Sequence, residues 1–506
     1  MQPLVTQRLW RDLELGLQVD LSGVPDQPPA AGADYQGAFA AMVALEAGAI
    51  ANPDEGRQVG HYWLRAPELA PEGYGALITA TREQCQKLAR ELIKAREFDA
   101  VLVLGIGGSA LGPQFLSDAL AEPDAPMRLH FLDNTDPDGI ARILGPLDLE
   151  TTLVLCISKS GGTAETRNCL VEVEAAYARA EVEIAPRAIA ISQEGSRLWE
   201  HAAEWRARIP MWDWVGGRTS VTSAVGLLPL ALQGIDVEAL LDGAAAMDRA
   251  TRTATLEGNP AAMLAYAWEQ QTGGRARRAM VVLPYRDRLV LLSRYLQQLV
   301  MESIGKERDL RGQVVNQGLT VYGNKGSTDQ HAYVQQLRDG PDDFFVTLLA
   351  VLDDGYHGAE DVEPGVDAGD YLQGLMLGTG QALRERGRAV IRVTLHEVDA
   401  RRLGALIALY ERAVGFYASR MGINAYHQPG VEAGKRAASA IIALKHRLLE
   451  ALDSEPAPLA ALLTRAGLPD EDLDVASALL QRLAVNERGV RWAPATVPAE
   501  DRYSRR

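Results

Sequence analysis

The six residues Ser158-Lys159-Ser160-Gly161-Gly162-Thr163 bring together three hydroxyls, one ammonium and two glycines, the components of a cradle for a phosphate group. The run before them, Thr152 to Ile157, is apolar and includes the Cβ-branched Val154 and Ile157, which suits a fully buried parallel strand. The helix formers that follow from Ala164 would turn a positive dipole end and unpaired N–H groups toward the same loop. The alternative for such a stretch is a solvated Ser/Gly turn.

Other segments offer chemistry of their own. In LGIGGSALGP, Gly105, Gly107, Gly108 and Ser109 lie between an apolar run and a helical one, where a missing Cβ lets a ligand approach the backbone. The third glycine is misplaced for a dinucleotide fingerprint, and a plain strand-to-helix turn accounts for the spacing equally well. In WDWVGGRTSVTSAVG, residues 212–226, Arg218 follows Gly216 and Gly217 and precedes a helix that Thr219 or Ser220 would cap. It reads either as a cation reaching into a cleft or as a surface charge.

The periodicity predicts a helix over about 288–305, with Leu289, Leu292, Leu296, Leu299 and Val300 on the buried side and Arg294, Gln298 and Glu302 on one stripe. Such a stripe is normally a solvated face. A partly desolvated carboxylate beside an apolar wall is also suited to proton transfer near neutral pH. His331 follows the loop YGNKGSTDQ and heads a predicted helix, as a structural, an exposed or an acid–base histidine. Gln428 and Lys435 stand around a turn and the first turn of an Ala-rich helix, where a lysine by itself would snorkel to water.

The elements that must position these residues follow an α/β alternation. Strand-like runs near 99–105, 128–133, 152–158 and 187–192 alternate with helical stretches, and a second set at 279–285, 344–353 and 389–399 follows a helical region around 236–270. The first 95 residues read mainly as helices and loops, including GVPDQPPAAGAD, and the stretch after about 400 as almost wholly helical. The polar tail PATVPAEDRYSRR is expected to fray.

At 506 residues the chain calls for two or three domains of roughly 100–200 residues each. A net charge of −16 argues against nucleic acid or an anionic membrane as partner, so a phosphate site must be positive locally. Cys85, Cys156 and Cys169 form neither a metal spacing nor an even-numbered framework, so no disulfide is expected. The first twenty residues carry scattered charges, and no apolar stretch reaches the roughly 18 residues of a membrane span, so the expected location is cytoplasmic.

Taken in order, these segments resemble the glucose-6-phosphate isomerase family over roughly residues 50–440. GGRTSVTSAVG is similar to the family's first signature and GINAYHQPGVEAGK to its second, while MESIGK and STDQHAY resemble the segments that carry its catalytic carboxylate and histidine. The resemblance implies an α/β fold of two sugar-isomerase (SIS) domains, each an α/β/α sandwich on a mainly parallel five-stranded sheet, with a helical N-terminal segment and a C-terminal helical arm. The corresponding divisions are residues 1–95, 96–250 with the phosphate loop, 251–430 with the carboxylate and histidine, and 431–506 with the lysine.

It also implies interconversion of glucose 6-phosphate and fructose 6-phosphate in glycolysis and gluconeogenesis, with no metal or organic cofactor. The family acts as a homodimer with shared active sites, the histidine at the position of His331 coming from the neighbouring subunit. By the same resemblance, His331 and Lys435 open the sugar ring, Glu302 moves a proton between C2 and C1, and Arg218 faces the enediolate. Ser158, Lys159, Ser160 and Thr163 hold the phosphate, and Gly108, Ser109, Gly217, Gln298 and Gln428 line the sugar.

The chain departs from the family at Thr219, where an aromatic residue is frequent, at His427, where an acid or amide is, and at Gly161 and Gly162, where many members are bulkier. These positions bear on sugar choice, and a dual glucose/mannose 6-phosphate isomerase is the nearest competing reading. A glutamine-dependent aminosugar-phosphate synthase would need an N-terminal cysteine, and Met1 is followed by Gln2. A non-catalytic sugar-phosphate sensor has no use for Glu302, His331 and Lys435 together.

Overall fold

The computed structural model describes residues 4–6, 8–25, 35–497 and 500–506, with the side chains of 4–6, 431–433, 435 and 436 outside the description. It divides into two compact units, Met1–His427 and Gln428–Arg506.

Among the described residues the first unit contains two large sheets and two small two-stranded ones. Near the N-terminus lie β1 (Leu4–Thr6), β2 (Leu9–Asp12) and β3 (Leu17–Gly23). A first parallel set follows: β4 (Ala100–Leu104), β5 (Arg128–Leu132), β6 (Thr152–Ile157), β7 (Ala188–Ser192) and β8 (Ala207–Pro210). The second set is β9 (Ala279–Pro284), β10 (Val321–Tyr322), β11 (Phe344–Val351) and β12 (Val390–Leu395).

The first sheet runs β8-β7-β6-β4-β5, parallel throughout. Every residue of β4, β6 and β7 is buried, as expected of strands covered by helices on both faces. Alternate residues feed two separate cores: Val101, Val103, Leu153 and Leu155 face one, and Leu102, Leu104, Val154 and Cys156 the other. That split makes the three-layer sandwich. The chain order reverses between β4 and β6, so a crevice opens at their carboxyl ends, where doubly wound sheets bind ligands. The Gly105–Ser109 and Ser158–Thr163 loops both leave from this point.

The second sheet repeats the arrangement as β10-β9-β11-β12, all parallel. The N-terminal β3 then pairs antiparallel with β12, and β2 and β1 extend the sheet to seven strands. The expected helical N-terminal segment thus begins with strands and turns helical at Gln36–Glu46 and Tyr74–Ala95, and this second sheet has seven strands where five were expected, the number the first sheet has. Trp10, Leu17, Val19 and Leu21 point inward with polar residues between them, a period-2 pattern too short to stand out in a Leu-rich, charged stretch. An ion pair of Arg392 with Asp20, at 2.6 Å, joins β12 and β3. The linker residues 26–34 lie outside the described residues.

Beneath the second sheet, helices Val237–Ala250, Pro260–Thr272 and Ala400–Met421 share the largest core. A wholly buried ion network sits there. Asp248 accepts from Arg65 (Nε, 2.6 Å) and from Arg412 (Nε, 2.9 Å), and Arg65 also reaches Glu411 at 2.5 Å.

The second unit is more than a helical arm. Helices Pro429–Ala451, Leu459–Ala466 and Leu473–Val485 accompany a small antiparallel sheet of Ala457–Pro458, Arg502–Arg505 and Val490–Ala493. The tail expected to fray forms its central strand, anchored by fully buried Tyr503 and by Asp501, which accepts from Trp492 Nε1 (2.8 Å) and Ala495 N (2.7 Å). All three cysteines are buried and free.

Candidate active site

Thr163 sits at the N-terminus of helix Ala164–Arg179 in an extended conformation, but its side chain does not cap the helix. Instead Ser158 Oγ donates to Thr163 Oγ1 at 3.4 Å, while Gly162 N donates to Ser160 Oγ at 3.2 Å. The uncapped helix start therefore meets a ring of hydroxyls, an arrangement suited to an anion. Gly161 has φ +62°, and a Cβ there would lie 2.3 Å from the Leu198 backbone nitrogen, so the loop is seated directly on its neighbour's main chain. Ser192 Oγ donates to Ser158 O at 2.6 Å and fixes the other end.

Lys159 takes a different part from its neighbours. Its ammonium leaves the cradle and donates to the carbonyls of Val215 (3.1 Å) and Asp213 (3.5 Å). Burial first, and then the Arg57 guanidinium, lower its pKa. The lysine thus ties the Ser158–Thr163 loop to the segment that presents Arg218.

Arg218 lies on the tight turn Gly217–Thr219, and the following helix Ala224–Leu232 is capped by Ser223, not by the expected Thr219 or Ser220. The turn rests on the first glycine loop. A Cβ at Gly108 would lie 1.8 Å from Gly217 O, and Ser220 Oγ donates to Gly217 O at 2.7 Å. Arg218 is 6% exposed; Nη2 donates to His427 O at 3.2 Å, and Nη1 faces Glu302 Oε2 at 3.6 Å without making a hydrogen bond among the described residues. Burial lowers its pKa, with Glu302 opposing. A desolvated guanidinium with one unmet N–H is prepared for an anionic oxygen.

Glu302 ends a stretch, Gln297–Glu302, in which the predicted helix widens into π-type turns after Leu292–Leu296. Such turns recur at functional sites. Gln298 Nε2 donates to Glu302 Oε2 at 3.4 Å, and a Cβ at Gly107 (φ +60°) would lie 3.0 Å from the same amide. Lys306, to which the sequence reading gave no role, is 4% exposed and donates to the carbonyls of Glu302 (2.6 Å) and Ser303 (2.9 Å). Burial, then Arg218, pull its pKa down to about 7. It closes the C-terminal end of the turn that carries the carboxylate.

A second unforeseen feature is the clasp behind Arg218. Asn424 Nδ2 donates to Asn52 (2.8 Å) and Asp54 (2.6 Å), Asn52 Nδ2 donates to Tyr426 O (3.2 Å), and His427 Nε2 lies 3.7 Å from Asp54. The clasp fixes the His427 carbonyl that Arg218 uses. Asn424 and His427 lie within GINAYHQPGVEAGK, but their partners sit some 370 positions earlier, beyond the reach of a local motif.

One chain thus brings together Gly108, Gly217, Arg218, Gln298 and Glu302, with Lys159 linking them to the cradle. His331 stands apart. It is exposed at the end of the turn Thr328–His331, with no bond to Arg218 or Glu302 among the described residues, and a helix begins only at Val334. The turn itself is held firmly: buried Asp329 accepts from Asn324 N (2.9 Å) and Nδ2 (3.2 Å). Gln428 is exposed at the start of helix Pro429–Ala451; Lys435 falls within that helix, its side chain outside the described residues.

The sequence matches the family model for phosphoglucose isomerase over residues 37–353 and 384–455. The chain belongs to the phosphoglucose isomerase family. It is 55% identical over 502 residues to a glucose-6-phosphate isomerase of Synechococcus sp. strain JA-2-3B'a(2-13), covering 95% of this chain and 94% of that one. A second, of Synechococcus sp. strain JA-3-3Ab, is 58% identical over 463 residues, covering 88% and 87%. Among solved structures, a glucose-6-phosphate isomerase from Chlamydia trachomatis D/UW-3/Cx superposes with a TM-score of 0.77 at 27% identity, covering 85% of this chain and 89% of that one. As a phosphoglucose isomerase family member, the chain carries its parallel first sheet and the parallel four-stranded part of its second as SIS-type sandwiches. No helix among the described residues is long and apolar enough to cross a membrane.

Proposed function

We propose that Glu302 is the base that carries a proton between C2 and C1 of an opened hexose phosphate, and that Arg218 stabilises the charge this creates. The reaction comes with the family: the chain is an isomerase that interconverts glucose 6-phosphate and fructose 6-phosphate. The observation that carries the assignment is the 3.6 Å approach of Glu302 to an otherwise unsatisfied, buried Arg218 Nη1.

The chemistry requires this pair. Removing the proton at C2 leaves an enediolate, with negative charge on the oxygens of C1 and C2. A fixed guanidinium stabilises that charge, and a carboxylate within about 3 Å of both carbons takes the proton from C2 and returns it to C1. The cradle of Ser158, Ser160 and Thr163 holds the phosphate at the far end, so that binding there positions the reacting carbons. Gly108, Ser109, Gly217, Gln298 and Gln428 line the sugar.

Ring opening falls to His331 with Lys435. An exposed imidazole on a pinned turn, unconnected to its own chain's Glu302, suits donation to a neighbouring subunit, so the working form is a homodimer with shared sites. We read residues 96–250 as the domain of the cradle and 251–430 as that of the carboxylate, with 431–506 bringing the lysine, in a cytoplasmic enzyme. Incubation with glucose 6-phosphate in heavy water tests the reading: fructose 6-phosphate must form with deuterium entering at C1, and C2 of the recovered glucose 6-phosphate must exchange. A complete lack of exchange after many passages in both directions, when a carboxyl proton has repeated chances to meet solvent, would mean a hydride path and remove the base.

A further inference from the structure

Behind the phosphate loop, on the side of helix Ala164–Arg179 and the short helix Arg197–His201, lies a cavity of about 260 Å³. Its lining includes Ser158 and Gly161 of the cradle itself, with Cys156, Thr166, Leu170 and Leu198 as buried walls. An engineered apolar cavity of roughly 150 Å³ takes benzene, so this one has room for a ring with a substituent.

Three observations say what it would take. Thr166 is 4% exposed, and its Oγ1 is buried without a hydrogen-bond partner among the described residues. An unmet buried hydroxyl costs about 1–3 kcal/mol unless something bonds it. The rim is basic: Arg167, Arg197 and His201 against one carboxylate, Glu174, which is already held by His201 Nε2 at 2.6 Å. Arg197 has no hydrogen-bond or ion-pair partner among the described residues, whereas Arg167 reaches only Asn168 Oδ1, at 3.1 Å.

We propose that this cavity is a second ligand site for a small amphipathic anion, a ring or short chain bearing one carboxylate or phosphate, and that its occupancy changes how the cradle holds the substrate phosphate. The apolar walls take the body of the ligand, Thr166 Oγ1 one polar atom, and Arg197 the charge at the mouth. The coupling is built into the loop. Gly161 is seated on the Leu198 backbone, and Ser158 is shared between the cavity and the Thr163 hydroxyl contact, so an occupant that fixes either fixes the cradle. Linkage then requires sugar phosphate and occupant to alter each other's affinity by the same factor. This second half rests on the cradle's role proposed above.

The test uses the full-length protein with phenylacetate and phenyl phosphate as probes. Binding is read by calorimetry, first on the free protein and then with the substrate site saturated by an equilibrated mixture of glucose 6-phosphate and fructose 6-phosphate. We expect at least one probe to bind saturably in both conditions and to move the KM for fructose 6-phosphate to a finite plateau; which probe does so tells a carboxylate from a phosphate ligand. Val171→Trp, which fills the cavity from its exposed wall, and Arg197→Ala should each weaken binding about tenfold or more, the weight of one charge-assisted contact or more, with kcat unchanged. Because binding is read without turnover, the two halves fail separately. Saturable binding with no change in KM overturns the coupling. No saturable binding of either probe, competitive displacement by sugar phosphate, or undiminished binding in both variants overturns the site.

Discussion

Gly108→Ala tests how Arg218 is positioned. A Cβ at Gly108 would lie 1.8 Å from Gly217 O, 2.2 Å from Gly217 C and 2.9 Å from Arg218 N, all backbone atoms without a rotamer to escape through. Ordinary contact begins at 3.4 Å, so the Gly217–Thr219 turn must retreat by about 1.6 Å, the difference from 1.8 Å. A displacement of about 1 Å at a reacting centre costs on the order of 100-fold in rate, about 2.7 kcal/mol. We therefore expect kcat to fall at least that far in a coupled assay of fructose 6-phosphate isomerisation, with the circular dichroism spectrum unchanged. Gly216→Ala is the control. Gly216 has ordinary extended dihedrals, and its Cβ would meet only Thr219 Oγ1 at 3.4 Å, so kcat should stay within about threefold. A Gly108→Ala enzyme with near wild-type kcat would refute the claim that this backbone contact sets the position of Arg218.

Three further predictions follow from the packing. Asp248→Asn removes the charge that Arg65 and Arg412 share and leaves each with one carboxylate, Glu411 and Glu46, so it should cost about 1–3 kcal/mol and lower the thermal midpoint; an unchanged midpoint would mean the shared charge contributes nothing. Lys306 has its pKa lowered to about 7, so between there and its ordinary 10.5 the unfolded chain binds the extra proton and folding stability rises with pH. Lys306→Met should remove that rise, seen by comparing the two proteins' denaturation midpoints at the two ends of the window. Asp501→Ala takes the acceptor from Trp492 and Ala495, and should red-shift Trp492 emission and expose Arg502–Arg505 to proteolysis.

How far the sequence disclosed these features depended on the range of the interactions. Strands β4, β6 and β7 were legible because each is buried on both faces, so apolarity and turn residues alone mark them. Strands β2 and β3 were not, since β3 is buried by pairing with β12 almost four hundred residues away and β2 joins the sheet only through β3. The cradle, the Arg218 turn and the Gln298/Glu302 stripe were readable as local patterns. The π-type widening under Glu302 was invisible, because spacing alone reads as an ordinary helix there. The closure by Lys306 and the Asn52–Asn424–Asp54 clasp also escaped notice, one a single buried lysine among charged residues and the other a meeting of distant loops. In the tail, Asp501 gathers its donors only once the strands are paired, which is why a polar stretch read as loose.

The most direct test of the central claim is proton exchange at C2 in Glu302→Gln. The amide keeps the shape beside Gln298 and Arg218 but cannot accept the proton. We predict that the variant binds fructose 6-phosphate with a dissociation constant within about threefold of wild type. Deuterium exchange from heavy water into the hexose phosphates should slow by at least about 1,000-fold. Exchange in Glu302→Gln at a tenth of the wild-type rate or faster would contradict the account and place the base elsewhere.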